Sequence, residues 1–426
     1  MAYSLIIELS GRIAANTARI KEYLASHDLA EPSFDTDAPL QSDISRGEMG
    51  IEAARQAVIH DCSELRVLML GPKEQMASYQ NSSAEFISQH AILRFKLAEA
   101  FPVYKETTFK ELATTSGLSE VHVRKLLRLA MTQHIFCEPR PGVVAHTAAS
   151  RLLAEDKGLS SFLRYRLDDL WPAATQTVNA MTKWPGSEEP AETGFALANQ
   201  TKKDLFQFYK ERPERSERFS AAMRFYTERP GLEPAHLVEN HAWDQIAEGG
   251  TVVDVGGSHG VISIELARKY PKLHFIVQEL DERVIHDAEQ QRPDEVSDRV
   301  RFMQHDFFTE QPVCGAEVYF FRAIFHDWSD TYAVKILRSL VPALKPGAKI
   351  VLNEPVVPEP GAVPAMFAPG LRAHDLSMVA MTNGGERELL EWQGLFAKAS
   401  SGFRFLGGKQ PPGSALWIMV AEWTGV

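Results

Sequence analysis

Apolar residues follow two different spacings along the chain, and the change of spacing divides it into two parts. Over residues 3–25 the apolar side chains recur mostly at helical spacing, and helices are also predicted at 50–70 and 83–101. From residue 250 onward, short apolar runs separate helical segments, which predicts strands that alternate with helices. The pattern therefore predicts a helical N-terminal part followed by an α/β domain.

The α/β part predicts a mostly parallel, doubly wound sheet with right-handed crossovers. No helix is predicted between the last two strands, which indicates an antiparallel pair at one edge. Strands are predicted at 251–255, 274–280, 300–305, 316–322, 348–353, 403–407 and 414–422. Helices are predicted at 259–270, 281–291, 330–344 and 386–400.

Residues 107–150 predict a winged helix-turn-helix, with a β-hairpin that turns at Pro141–Gly142. One interpretation is DNA binding through the cations of its second helix. These cations are Arg124, Lys125 and Arg128. The other interpretation is a packing module in an enzyme. The formal charge of −11 favours the packing module, because phosphate binding requires a basic face, and we expect no nucleic-acid partner.

The segment from Thr251 to Gly260 predicts a ligand site. A β-branched strand ends there in glycines and a helix follows, so bare backbone N–H groups are expected where nucleotide-like ligands bind. The spacing Asp254-x-Gly256-x-x-x-Gly260 differs from a dinucleotide fingerprint and fits S-adenosylmethionine, which has no pyrophosphate. Glu279, at the end of the next strand, is placed to accept ribose hydroxyls. The alternative is that the glycines only pack helix against strand.

Polar residues follow the predicted strands, and ligands in such sheets bind outside the carboxyl ends of the strands. His326 comes after an almost wholly apolar strand, and a histidine there can remove a proton from a hydroxyl near neutral pH. Glu354 or Glu386 would bind its other imidazole nitrogen and fix the tautomer. The alternative is a helix-capping or core histidine.

These residues resemble the motifs of S-adenosylmethionine-dependent O-methyltransferases of the plant caffeic-acid and flavonoid type and their fungal secondary-metabolite relatives. The resemblance covers roughly residues 80–425. It rests on Val253–Gly260, His305–Phe308, His326–Asp330, Leu344–Gly347 followed by Glu354, and Gly384–Arg387. It implies a Rossmann-like class I methyltransferase sheet with an N-terminal all-α and winged-helix dimerisation domain. Ser258 replaces a glycine of the plant motif, and Glu279 replaces its usual aspartate.

The resemblance also implies roles for individual residues. The residues expected to bind the cofactor S-adenosylmethionine, with the last near its adenosine end, are Asp254, Gly256, Gly257, Glu279, Asp306, Phe307 and Arg322. His326 would be the general base, flanked by Glu354 and Glu386. The acceptor-binding residues would be Trp171, Phe219, Met223 and Asp327. The family needs no metal, and no metal-ligand cluster is evident in the sequence.

We therefore expect an O-methyltransferase that acts on a phenol, enol or N-hydroxyl of a small secondary metabolite. The predicted domains are residues 1–160, which form a homodimer, and 161–426, in which a substrate-lining segment (161–245) precedes the Rossmann-like core (246–426). One alternative is a pericyclase or dehydratase that binds S-adenosylmethionine on the same fold without methyl transfer. The other is a winged-helix DNA-binding regulator.

Cysteine usage and hydropathy add the cellular context. Cys62, Cys137 and Cys314 share no metal-like spacing and predict a reducing, cytoplasmic compartment. No apolar run approaches transmembrane length, so we expect no membrane partner.

Overall fold

The computed structural model describes residues 4–40, 49–359 and 368–425 of the chain. These residues fall into two compact units, Met1–Asp168 and Asp169–Val426. The division lies a few residues beyond the boundary predicted at residue 160. Among the described residues, no helix has both the length and the apolar character needed to cross a membrane.

Long helices open the first unit. Helix α1 (Leu5–Ser26) packs against α2 (Met49–Ser78), and α3 (Gln80–Arg94) follows. Gly71 interrupts α2 with a φ of 66°, directly before Pro72, which has no N–H to donate. The predicted stop of the second helix is therefore confirmed as a kink. The third helix was predicted to reach residue 101 and ends earlier.

Short elements form the rest of the first unit: β1 (Thr107–Thr108), α4 (Phe109–Ser116), α5 (Glu120–Met131), β2 (Val143–Val144), α6 (Ala148–Glu155) and α7 (Lys157–Tyr165). Helix α4 ends where Gly117 takes a φ of 73°, and Ser119 caps α5 by accepting from the backbone N–H of His122. The predicted hairpin is reduced to one bridge between Cys137 and Ala145, because β2 pairs antiparallel with β1.

A helical segment opens the second unit and precedes its sheet. Its helices are α8 (Trp171–Lys183), α9 (Gly194–Ala198), α10 (Leu205–Lys210), α11 (Pro213–Thr227) and α12 (Pro234–Asn240). The helices that alternate with the strands are α13 (Val261–Lys269), α14 (Glu282–Gln291), α15 (Asp330–Leu340), α16 (Ala368–Thr382) and α17 (Leu389–Ala399). Helix α16 is absent from the sequence prediction.

The sheet has the strand order β5-β4-β3-β6-β7-β9-β8 in the described part of the chain. Its strands are β3 (Thr251–Val255), β4 (His274–Glu279), β5 (Val300–Gln304), β6 (Val318–Arg322), β7 (Lys349–Glu354), β8 (Phe403–Lys409) and β9 (Trp417–Trp423). Strands β3 to β7 run parallel, and β9 runs antiparallel to both β7 and β8. The predicted doubly wound sheet with an antiparallel edge pair is confirmed.

Both faces of the sheet are buried. On β6, Tyr319 and Phe321 pack into one apolar cluster and Phe320 into the other, because successive side chains of a strand point to opposite faces. Trp243, which is fully buried, packs edge-on against Phe320. The central strands, which end at the carboxyl edge of the sheet, are thus packed on both faces.

We expect Trp243→Ala to lower the free energy of unfolding of the second unit by about 3–5 kcal/mol, because it leaves a large cavity in the core. Thermal unfolding followed by circular dichroism measures this as a lower midpoint temperature. Val178→Ala is the control, since Val178 is 72% exposed. Equal midpoints for the two variants would contradict the packing described.

Candidate active site

The turn after β3 has little space for side chains. Gly256 takes a φ of 76°, and a Cβ there would lie 2.6 Å from Ile324 Cδ1. A Cβ on Gly257 would lie 2.5 Å from Cγ of Asp254. A Cβ on Gly260, at a φ of 69°, would lie 3.0 Å from Val277. Each glycine is therefore required by local packing, which is the alternative that the sequence left open.

The polar groups of this turn point inward. The backbone N–H groups of Gly256 and Gly257 both donate to the Gln278 carbonyl oxygen, at 2.9 and 3.0 Å, so the expectation of bare amides at these two positions is wrong. Asp254 is buried and accepts from Ser263 Oγ at 2.7 Å, and burial raises the pKa of its carboxyl to about 6. The Asp254 side chain thus supports the turn from inside the domain.

Acidic and aromatic side chains follow the neighbouring strands. Glu279 ends β4, and its Oε1 accepts from the backbone N–H of Leu280 at 2.7 Å. Burial raises the pKa of Glu279. Asp306 follows β5, which pairs with β4. The ring of Phe307 would contact a Cβ on Gly256 at 3.8 Å, so it lies beside the glycine turn. Because β4 and β5 are parallel neighbours, the residues at their carboxyl ends lie along the same edge of the sheet.

The guanidinium of Arg322 donates hydrogen bonds to other groups of the protein. Its Nη1 donates to Asn353 Oδ1 at 2.6 Å, and its Nη2 donates to the Leu232 carbonyl oxygen at 2.5 Å. Burial lowers the pKa of the guanidinium to about 10, although Asp254 and Glu354 act in the opposite direction. Arg322 therefore ties the end of β6 to β7 and to the loop before α12.

His326 lies in a single 3₁₀ turn, Phe325–Asp327, directly after β6. Its Nδ1 lies 2.9 Å from Glu386 Oε1. A carboxylate only accepts hydrogen bonds, so Nδ1 carries the hydrogen and Nε2 of the neutral ring is the basic nitrogen. Of the two glutamates expected beside the imidazole, Glu386 makes the bond.

Glu354 supports the loop that precedes His326. Its Oε1 accepts from the backbone N–H groups of Ile324 and Phe325, at 2.7 and 2.8 Å. Glu354 is fully buried, and burial raises the pKa of its carboxyl to about 7, with His326 opposing the shift. Its role in the structure is therefore to fix the backbone of the loop.

The Gly384–Arg387 segment braces the same loop from the other side. A Cβ on Gly384 would lie 2.1 Å from the His326 carbonyl oxygen, so only glycine fits there. The backbone N–H of Gly385 donates to that oxygen at 2.9 Å. Arg387 Nη1 donates to the Phe325 carbonyl oxygen at 2.9 Å, and Arg387 Nη2 donates to the Trp328 carbonyl oxygen at 2.6 Å.

The charges around His326 make it strongly basic. Burial alone would lower the pKa of the ring, but Asp327, Glu386 and Glu354 outweigh burial and raise it to about 10. Glu386 shifts the other way: burial would raise its pKa, but hydrogen bonds from His326 and His374 lower it to about 2. The cluster can therefore accept a proton and stabilise the resulting imidazolium.

His374 belongs to this cluster and was missed from the sequence. It lies on α16, and its Nδ1 is 2.8 Å from Glu386 Oε1, the same oxygen that bonds to His326. The next residue of α16 also contacts Glu386, because Asp375 Oδ1 accepts from the backbone N–H of Glu386 at 2.9 Å. The sequence showed no metal-ligand cluster, but in the structure potential ligand atoms of His326, His374 and Glu386 lie within 4.8 Å of one another.

The predicted acceptor-binding residues are half-buried and surround this cluster only in part. Phe219, on α11, contacts Phe206 edge-on at 6.4 Å between ring centroids, and Phe206 stacks on Trp328 at 5.6 Å. Met223 lies one turn further along α11. Trp171 begins α8, which packs against α16. Asp327 Oδ1 lies 3.9 Å from His326 Nε2.

Comparison with known sequences identifies close relatives of this chain. The O-methyltransferase domain model matches residues 193–404. O-methyltransferase AMT9 of Alternaria alternata is 39% identical over 99% of this chain and 98% of the relative. O-methyltransferase pyvH of Aspergillus violaceofuscus is 37% identical over 100% of both chains. Chlorophenol O-methyltransferase of Trichoderma longibrachiatum is 35% identical over 99% of this chain and 91% of the relative.

Comparison with solved structures finds the same fold at lower identity. OxaC in complex with SAH and oxaline superposes with a TM-score of 0.77, at 22% identity, over 99% of this chain and 100% of that chain. A pericyclic reaction enzyme superposes with a TM-score of 0.72, at 23% identity, over 96% and 99%. Both likenesses concern the fold.

We expect Glu386→Gln to lower the pKa of His326 by about 1–3 units, because it removes a negative charge in direct contact with the ring. Histidine-labelled NMR titration measures this pKa directly. Glu310→Gln, which alters an exposed side chain outside the cluster, should leave it unchanged. An identical His326 titration in wild type and Glu386→Gln would contradict the electrostatic description.

Proposed function

This chain belongs to the O-methyltransferase family, and we propose that it transfers a methyl group from S-adenosylmethionine to a hydroxyl of a small secondary metabolite, with His326 as general base. The observation that carries the proposal is the hydrogen bond between His326 Nδ1 and Glu386 Oε1 at 2.9 Å, in a chain of this family. That bond leaves Nε2 of the neutral ring as the atom that accepts the hydroxyl's proton.

The basicity of His326 suits a phenol, enol or N-hydroxyl. A phenol such as the tyrosine side chain has a pKa of about 10, and the pKa of His326 is raised to about 10. Proton transfer between groups of matched pKa costs little free energy. Methyl transfer is an in-line displacement, so alignment of the oxygen and removal of its proton are the tasks left to the protein.

The residues at the carboxyl edge of the sheet fit S-adenosylmethionine, which supplies an electrophilic methyl group when it is bound. Glu279 is a carboxylate at the end of β4, where such sheets hold ribose hydroxyls. Phe307 offers a ring face beside the glycine turn, and Asp306 lies on the adjacent strand end. Asp254, Gly257 and Arg322 act one step away, because their contacts shape the turn and the end of β6.

The acceptor is expected to be small and largely apolar. Phe219, Met223 and Trp171 are half-buried on helices around the cluster, and aromatic and methionine side chains commonly line pockets for such ligands. One relative is a chlorophenol O-methyltransferase, which favours a phenolic acceptor here.

We expect His326→Ala to bind S-adenosylmethionine with unchanged affinity and to transfer methyl label at least ~100-fold more slowly, the low end of what loss of a general base costs. The measurement combines calorimetric titration with S-adenosylmethionine and label transfer to a panel of chlorophenols and hydroxylated polyketides, in the presence of EDTA. Wild-type transfer should increase as pH rises toward the pKa of His326, because protons occupy the ring below that value.

The control for this experiment is His122→Ala, which removes an exposed histidine of α5. Undiminished transfer by His326→Ala would exclude His326 as the base. Conversion of an acceptor without movement of the label would instead favour the pericyclase or dehydratase alternative.

A DNA-binding role is disfavoured by the ion pairs on α5. Arg124 pairs with Glu120, and Arg128 pairs with Glu138 at 2.9 Å, so two of the three candidate cations are already neutralised within the chain.

The free cysteines Cys62, Cys137 and Cys314 support a reducing, cytoplasmic compartment.

The first unit is proposed to form a homodimer through its N-terminal helices. Large apolar side chains are exposed there, among them Ile7 at 70% and Met76 at 69%. Exposed apolar patches commonly mark protein interfaces. A second copy of the chain is the expected partner, as the resemblance implies.

We expect light scattering after size exclusion to give twice the mass of one chain, and Ile7→Glu with Met76→Glu to give one chain mass with an unchanged far-ultraviolet circular dichroism spectrum at 20 °C. Val178→Glu, in the second unit, serves as the control for an added surface charge. A monomeric wild-type protein would contradict the dimer.

A further inference from the structure

His374 contacts the carboxylate that orients the proposed base. Its Nδ1 lies 2.8 Å from Glu386 Oε1, and His326 Nδ1 lies 2.9 Å from the same atom. The side chain of Glu386 is 1% exposed, whereas that of His374 is 25% exposed. One buried oxygen therefore receives hydrogen bonds from two imidazoles.

The protonation of this trio follows from its chemistry. Glu386 is ionised at neutral pH and can only accept, so both Nδ1 atoms carry hydrogen. Two charge-assisted hydrogen bonds to one oxygen share its negative charge, and each bond weakens the other. Glu386 Oε2 is buried and lacks a partner among the described residues, so contacts at Oε1 determine how the carboxylate is oriented.

We propose that His374 is a positioning residue: it holds Glu386 in place and limits how strongly Glu386 assists proton removal by His326. The inference rests on the proposed role of His326 as general base. It goes beyond that role because it adds a second imidazole to the pair that sequence motifs identify, and it explains why α16 packs beside the loop of His326.

In the described part of the chain, only His326 and His374 donate a hydrogen bond to Glu386 Oε1. Asp327 and Glu354 act on His326 through their charges, and Asp375 accepts from the backbone N–H of Glu386. Tyr226, on α11, stacks on the His374 ring with centroids 5.9 Å apart. His374 thus also connects the helix that carries Phe219 and Met223 to the carboxylate.

The experiment compares His374→Leu with His374→Asn. Leucine removes the donor, whereas the asparagine amide presents an N–H near the position of the histidine Nδ1 and should restore the bond. The readout is the low-field ¹H NMR signal of the His326 Nδ1 hydrogen at pH 7, which moves downfield as its hydrogen bond to Glu386 strengthens. The full-length protein is used in the presence of EDTA, because the same three side chains could bind a metal ion.

We expect the signal to move downfield in His374→Leu and to return close to its wild-type position in His374→Asn. The midpoint of the acidic limb of the pH–rate profile for methyl transfer should move to higher pH by on the order of one unit in His374→Leu only. The reason is that Glu386 loses one competing hydrogen bond and then stabilises the protonated His326 ring more strongly. His374→Phe replaces the leucine variant if that variant fails to fold.

An unmoved signal in His374→Leu, or equal movement in the leucine and asparagine variants, would overturn the proposal. The outcome of the His374 experiment can be distinguished from that of the His326→Ala experiment, which tests the general base. If His326→Ala kept its activity while the His374→Leu signal moved, the contact would stand and the base assignment would fall. If His326→Ala lost transfer while the His374→Leu signal stayed, the positioning role would fall alone.

Discussion

The hydrogen bond between His326 and Glu386 is the contact on which the organisation of this site depends. It joins two loops that are far apart in sequence, and it needs both loops to be held within tenths of an ångström. Gly384 gives the close approach, since any side chain there would collide with the His326 carbonyl oxygen. Arg387 and Glu354 then fix the backbone of the His326 loop through its carbonyl oxygens and N–H groups.

Electrostatics explains why this loop is built with so many charged groups. A buried imidazole would normally favour its neutral form, because burial disfavours charge. Three carboxylates near His326 reverse that preference and stabilise the imidazolium form of the ring. The same arrangement keeps Glu386 ionised despite burial, since His326 and His374 donate to it. The basic ring and the acidic carboxylate therefore depend on each other.

The sequence predicted the sheet well because its strands are short, apolar and separated by helices, and β3 to β7 fall within a few residues of their predicted limits. The pairing of His326 with one of two glutamates was also predictable, since Glu354 follows a predicted strand and Glu386 follows a glycine turn. The choice of Glu386 was not, because it depends on how Glu354 uses its Oε1 for the backbone. His374 was missed because α16 follows a Pro- and Gly-rich stretch and shows no clear helical periodicity, so nothing local indicated which way its side chains point.

The proposed role of His326 is that its Nε2 takes the proton from a hydroxyl aligned with the cofactor's methyl group. The decisive measurement for this role is a crystal structure with S-adenosylhomocysteine and a phenolic acceptor bound. We expect the adenosine moiety to lie beside Glu279 and Phe307, and the acceptor oxygen to lie about 3 Å from His326 Nε2, within hydrogen-bonding reach of a general base. An acceptor oxygen held by other groups, with the imidazole turned away from it, would exclude His326 as the base.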